Sequence, residues 1–242
     1  MNASSATRIV NGRIEGAAFL NDPKLRLLLD TLNGDGEETR VVGGAVRNAL
    51  LGQPVHEVDL ATTALPAVTQ ELCQAARLRT IPTGIEHGTI TVLIEGTTFE
   101  VTSLREDIAT DGRHAVVRFG RDFRADALRR DFTINALSVD AAGKLYDYTD
   151  GVKDIAARHV RFIGEARQRI REDYLRILRL FRFHAAYGEG APDREAVEAA
   201  IAERHGLERL SRERIQAEVL KLLLTRRAAD VGADMTQAGL LG

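Results

Sequence analysis

At 242 residues, with 44% hydrophobic and 28% charged side chains, the chain has the make-up of an ordinary globular protein. It is long enough for one large domain or two modest ones. A single cysteine, Cys73, excludes an internal disulfide and a cysteine-based metal site. No apolar run approaches the length of a membrane span, and no charged-then-apolar leader opens the chain, so the cytoplasm is the expected compartment. The net charge of −2 is unevenly spread: residues 101–182 sum to +4, residues 1–100 to −4 and residues 183–242 to −2. Of the 33 basic residues 29 are arginine, whose planar fork suits phosphate, although GC-rich coding produces the same bias. The basic middle block suggests a nucleotide or nucleic-acid surface and nothing narrower.

In chain order, residues 1–18 read as a loose N-terminus. Helical spacing runs from Phe19-Leu20 to Leu32 and stops at Asn33-Gly34-Asp35-Gly36. Arg40-Val41-Val42 reads as a short buried strand that delivers a Gly43-Gly44 turn. A helix follows over Ala45–Leu51, closed by Gly52. Val58-Asp59-Leu60-Ala61 is the next strand, and Pro66 to Ala76 the next helix. Thr89–Ile94 and Thr97–Val101, split by Gly96, read as a β-hairpin. Residues 105–126, polar and weakly periodic, read as a long flexible loop. Strand character returns over Ile134–Val139 and Leu145–Tyr148. From about Ile170 the pattern is helical, broken once at Gly188–Pro192. A mixed α/β portion over 19–150 followed by a helical portion over 151–242 is the expected architecture.

The chemistry gathers first at Gly43-Gly44-Ala45-Val46-Arg47 and Glu57-Val58-Asp59. Glycines let backbone N–H groups approach phosphate oxygens, a helix starting there adds its positive end, and an arginine supplies a charged fork. Residues i and i+2 of a strand face the same way, roughly 6.5–7 Å apart, so Glu57 and Asp59 are expected to share hard cations. Two acids at a strand end are ordinarily only solvated; the adjacent glycine turn and Arg47 make a triphosphate and magnesium site the better reading. A second group, Asp173, Arg176, Arg179 and Arg182, recurs in steps of three, which on one helix forms a slowly drifting polar stripe. An (i, i+3) ion-pair face gives the same pattern. His56 reads as a loop residue, His87 as a turn residue, and Asp131 and Asn135 as residues that order the local backbone.

Taken together, Gly43–Arg47, Glu57–Ala64, Arg129-Arg130-Asp131-Phe132-Thr133-Ile134-Asn135-Ala136-Leu137, Glu172–Arg179 and Ser211–Leu223 resemble the class II tRNA nucleotidyltransferases and bacterial poly(A) polymerases, in the right order from about Val41 to Leu224. The resemblance implies a polymerase-β-type nucleotidyltransferase head followed by an all-helical neck. It implies magnesium held by Glu57 and Asp59, and a triphosphate held by Gly43, Gly44 and Arg47. It also implies a base read by Asp173 and Arg176, with Arg130, Arg179 and Arg182 completing the nucleotide contacts. A carboxylate accepts from the exocyclic amine of cytosine or adenine and an arginine donates beside it, so CTP and ATP are the implied substrates and the 3′ end of tRNA or another RNA the implied acceptor. Glu100 is a candidate third carboxylate. The chain departs from the family at Glu57 and Asn48, where the family carries aspartate; these changes bear on rate rather than fold. The family continues into helical body and tail regions past the neck, and these are expected to be absent from this chain. A-only or poly(A) addition, and a nucleotide-binding fragment without turnover, are the alternatives.

Overall fold

The computed structural model describes residues 7–85, 88–110 and 115–240. His87 and the 111–114 part of the expected loop lie outside the described residues. The chain divides into two compact units, Met1–Arg129 with Asn135–Thr149, and Arg130–Ile134 with Asp150–Gly242.

The first unit is built on a mixed seven-stranded sheet. Within the stretch expected to be loose, β1 (Arg8–Val10) and β2 (Arg13–Glu15) form an antiparallel hairpin. Ile14 of this hairpin is buried, and its N–H donates to the Gly143 carbonyl at 2.8 Å. A 3-10 turn over Ala18–Asn21 precedes α1 (Pro23–Leu32), so the expected continuous helix from Phe19 is split. Asp22 causes the split: its carboxylate caps the Lys24 N–H at 2.9 Å and Pro23 starts the new helix. Next come β3 (Thr39–Val42), α2 (Gly44–Leu50), β4 (Asp59–Thr62) and α3 (Pro66–Ala75). They are followed by β5 (Arg79–Gly84), β6 (Thr89–Ile94) and β7 (Thr97–Ser103). β8 (Arg105–Thr110), β9 (Ala115–Phe119) and α4 (Phe123–Leu128) occupy most of what the sequence suggested was a flexible loop. The Gly120 N–H closes the base of this hairpin on the Leu104 carbonyl at 2.8 Å, and Asp122 caps α4 through the Arg124 N–H. β10 (Ser138–Val139) and β11 (Leu145–Tyr146) complete the unit; the strand expected from Ile134 is shorter because Thr133–Asn135 form a 3-10 turn.

The strand order is β11-β10-β3-β4-β7-β6-β5, with β4 and β7 parallel and every other pair antiparallel. Leu60, Ile90, Val92, Phe99 and Val101 point to one face and are buried with Leu25, Leu28, Leu29, Leu32 and Cys73 of α1 and α3. On the other face, Val42, Ala61, Leu104 and Phe123 form a small apolar cluster beside Tyr148. There the buried Arg40 guanidinium stacks between the Phe123 and Tyr146 rings, 3.8 and 3.5 Å from their centroids, and pairs with Glu38 at 2.7 Å. Beyond this cluster the same face carries the exposed Asp59, Glu100, Thr98, Ile81 and Arg79, with Thr91 buried among them.

The second unit is helical: α5 (Gly151–Ala156), α6 (Ala166–Glu172), α7 (Leu175–Tyr187), α8 (Arg194–Ala202), α9 (Arg212–Leu223) and α10 (Ala228–Gln237). Helix begins at Gly151 rather than near Ile170. The detached segment Arg130–Ile134 runs through this unit as a strap. Phe132, fully buried, packs 4.9 Å from the Phe162 ring and 5.1 Å from Phe183. No helix among the described residues is long and apolar enough to cross a membrane.

Candidate nucleotidyltransferase site

β3 is buried along its whole length and ends at Gly43, whose φ of 67° and ψ of −118° suit only glycine. The Gly43 N–H donates to the Leu137 carbonyl at 3.0 Å, fixing the turn to the chain beside β10. From the last turn of the short α2 the Arg47 guanidinium folds back over Gly44, where an added Cβ would lie 3.7 Å from Nη2. Arg47 is 7% exposed and held firmly. Its Nε and Nη2 donate to Asn48 Oδ1 at 3.1 and 2.9 Å, and its Nη1 donates to Asn135 Oδ1. Asn48, where the resemblance implies aspartate, also donates from Nδ2 to the Pro54 carbonyl at 3.0 Å. A carboxylate has no proton to offer Pro54, so the amide ties the arginine to the loop that leads into β4.

Asp59 opens β4, in register with Val42 of β3 on one side and Glu100 of β7 on the other. Residues paired across neighbouring strands project to the same face, about 4.8 Å apart. Asp59 and Glu100, both exposed, are therefore side-by-side carboxylates on the open face, next to the strand that enters the glycine turn. Glu57 lies outside the strand, in the irregular segment before it, so the i, i+2 alternation expected for Glu57 and Asp59 does not apply. Its carboxylate is exposed. Among the described residues no three or more His, Cys, Asp or Glu side chains converge as a ready-made metal cage. Magnesium is commonly bound by one or two carboxylates, with substrate oxygens and water completing the shell, and the Asp59–Glu100 pair fits that donor set.

The second unit carries the other group. Asp173 is not on the arginine helix: it occupies the break between α6 and α7, with φ −155° and ψ 107°. Its Oδ1 accepts from the Leu175 N–H at 3.1 Å and its Oδ2 from Arg214 Nη2 of α9 at 2.8 Å. Arg176, Arg179 and Arg182 do lie on α7, each gripped by a carboxylate. Arg176 Nη1 donates to Glu172 at 2.5 Å and to the Arg169 carbonyl at 2.8 Å. Arg179 donates twice to Asp131 Oδ2, at 2.8 and 2.5 Å, and Arg182 Nε donates to the buried Glu218 of α9 at 2.5 Å. Asp131 thus fastens the strap to α7 through its side chain, besides accepting from the Phe132 N–H at 2.8 Å, and Arg130 sits half-buried beside it. Tyr174, next to Asp173, packs so tightly on Gly206 that a Cβ there would stand 1.9 Å from its ring. Asn135, read from the sequence as ordering the local backbone, accepts from Arg47, while Glu172, Arg214 and Glu218 are partners that the sequence analysis did not single out. Arg214 and Glu218, one helical turn apart on α9, were the available signal.

A mixed sheet with paired carboxylates on its open face beside a glycine turn, joined to a helical portion, is the architecture of the nucleotidyltransferase class. The family described as "Poly A polymerase head domain" matches residues 39–161, just over half of the chain, and the chain belongs to that family. Residues 192–242 match a second family, described as "Probable RNA and SrmB- binding site of polymerase A". The chain is 46% identical over 202 residues to mouse (Mus musculus) "CCA tRNA nucleotidyltransferase 1, mitochondrial", covering 82% of this chain and 46% of that protein. It is 42% identical over 196 residues to the "CCA-adding enzyme" of Enterococcus faecalis, covering 80% and 47%. The crystal structure of the Bacillus stearothermophilus CCA-adding enzyme in complex with CTP superposes with a TM-score of 0.82 at 35% identity, over 90% of this chain and 52% of that one. The chain spans about half the length of the curated relatives it matches.

Proposed function

We propose that this chain carries the catalytic and nucleotide-selecting parts of a template-independent RNA nucleotidyltransferase, which adds C and A from CTP and ATP to the 3′ end of tRNA. The observation that carries the reading is the Asp59–Glu100 carboxylate pair beside the Gly43–Gly44 turn, in a chain of this family. The names of the relatives supply the substrate class.

In this reading Gly44, at the turn that Gly43 makes, offers its backbone N–H and Arg47 its guanidinium to the triphosphate. Glu57, Asp59 and Glu100 provide oxygen ligands for magnesium, which when bound assists ionisation of the attacking hydroxyl and offsets charge on the phosphoryl oxygens. The RNA 3′-oxygen bonds to the α-phosphorus, the bond to the bridging oxygen breaks, and pyrophosphate leaves as the hydroxyl proton passes to solvent. Asp173 accepts from the exocyclic amine of cytosine or adenine while Arg176 donates beside it. Uracil and guanine present a carbonyl oxygen to the carboxylate and are refused. Arg130, Arg179 and Arg182 complete the nucleotide contacts.

The test is incorporation of each radiolabelled NTP into tRNA ending before CCA, with and without magnesium, using the wild type, Asp59→Ala and Asp173→Ala. C and A alone, lost in the first variant and relaxed in base choice in the second, is the expected result. Incorporation of A alone would move the reading to A-addition, which the polymerase name of the family favours. No incorporation would overturn it.

A further inference from the structure

The order of strands gives the proposed transfer a direction. Asp59 stands between Val42 of β3, which leads straight into the glycine turn, and Glu100 of β7. In phosphoryl transfer the attacking and leaving oxygens lie roughly in line through phosphorus. With the triphosphate on the Gly43–Arg47 side, pyrophosphate departs toward β3, so the attacking oxygen arrives from the Glu100 side. We infer that the 3′-terminal strand of the RNA reaches Asp59 across the open face of β7, β6 and β5. This rests on the nucleotidyl-transfer reading and adds to it the track of the acceptor.

That face has the chemistry of a sugar–phosphate track. Continuing from Asp59 and Glu100, the same cross-strand row holds Thr91, buried with its hydroxyl 2.7 Å from that of Thr83, and the exposed Ile81. The row on one side holds Thr102 and Thr89, their hydroxyls 3.0 Å apart, and the row on the other runs from Thr98 through the half-buried Leu93 to Arg79. A hydroxyl carries one donor and two acceptor sites, so a bonded threonine pair keeps capacity for both a phosphate oxygen and a ribose 2′-hydroxyl. Past Glu100 these rows contain no carboxylate, and the charge at their far edge is the exposed Arg79. Thr98 is exposed, as is Ile81, which offers an apolar floor. The span from β7 to β5 is about 10 Å, room for about three nucleotides at the ~3.4 Å rise of a stacked strand. The reverse face is closed by the buried Ile90, Val92 and Val101.

The test places a carboxylate on the track. Arg79→Glu and Thr98→Glu are compared with the wild type, and with Gln74→Glu on the exposed side of α3, for binding of fluorescent tRNA ending before CCA, and for the KM of RNA and of ATP. Both track variants are expected to weaken RNA binding and raise its KM by about tenfold, given the dominance of phosphate contacts in RNA affinity, while the ATP KM and the Gln74→Glu values stay at wild type. Wild-type RNA binding in both variants, or no RNA binding by the wild type, would overturn the track. A wild type that binds RNA, loses it on these substitutions and yet incorporates no nucleotide would keep the track and overturn the transfer reading.

Discussion

The carboxylates differ in how firmly the backbone places them. Asp59 is fixed by two ladders, whereas Glu57 precedes the strand and reaches its surroundings through one more methylene, about 1.5 Å of extra length. A residue off the strand gains from that reach. Glu57→Asp is therefore expected to lower kcat while leaving the nucleotide KM in place, and a rise in kcat would show that the longer side chain is misfitted. Asp59→Ala is expected to cost on the order of a thousandfold in kcat/KM, the size of losing several kcat-relevant kcal/mol of charge stabilisation. These residues were legible because their signals are local: a glycine pair, an arginine three positions on, acids two apart. What holds them was not. Asn135 lies 88 residues from Arg47, and Arg214 41 residues from Asp173; only the folded chain brings them together. Strand alternation, applied to Glu57 and Asp59, does not hold for Glu57, because β4 begins at Asp59, one position after the expected Val58.

Among the elements, the missed strand β5 shows why period-two reasoning fails at a sheet edge. Its residues are exposed or half-exposed throughout and a register shift interrupts it between Ile81 and Gly84, so no alternation is left to read. In the helical unit, α7 is held to α9 by Glu218, which pairs with Arg182 and lies 3.7 Å from Arg179. Glu218→Ala, which takes the partner from the half-buried Arg182, is expected to lower stability by about 1.5–3 kcal/mol in urea titrations, the size of a hydrogen bond to a charged group. Gly206→Ala drives a methyl into the Tyr174 ring and is expected to destabilise by about 1–3 kcal/mol and loosen base choice together, since Tyr174 adjoins Asp173. His184 of α7 is buried, and burial with the Arg227 guanidinium 3.3 Å from its Nε2 holds the imidazole below its ordinary value of 6.5. The unfolded chain then takes up the proton first, so this contribution is present above about pH 6.5 and fades as the pH falls below it. Thermal melts between pH 8 and 5 are expected to show a smaller acid loss for His184→Gln than for the wild type.

At the scale of the whole chain, the two units are interleaved in sequence. The strap Arg130–Ile134 interrupts the first unit and supplies Phe132 and Asp131 to the second, after which the chain returns to lay down β10 and β11. Residues 151–242 alone would lack Phe132, a fully buried ring whose removal from a core costs about 3–5 kcal/mol. That piece is expected to lose its near-ultraviolet dichroism and cooperative melt, both of which a fused 129–242 piece should retain better. The same connectivity shapes how the chain comes off the ribosome. The sheet of the first unit cannot close until Val139 has been made and has paired with Val41, by which point the strap is already synthesised and waiting for helices not yet translated. Phe132 therefore passes through synthesis as an uncovered aromatic ring, and the interval between its emergence and that of Phe183 is the window in which a nascent chain of this kind depends on chaperones.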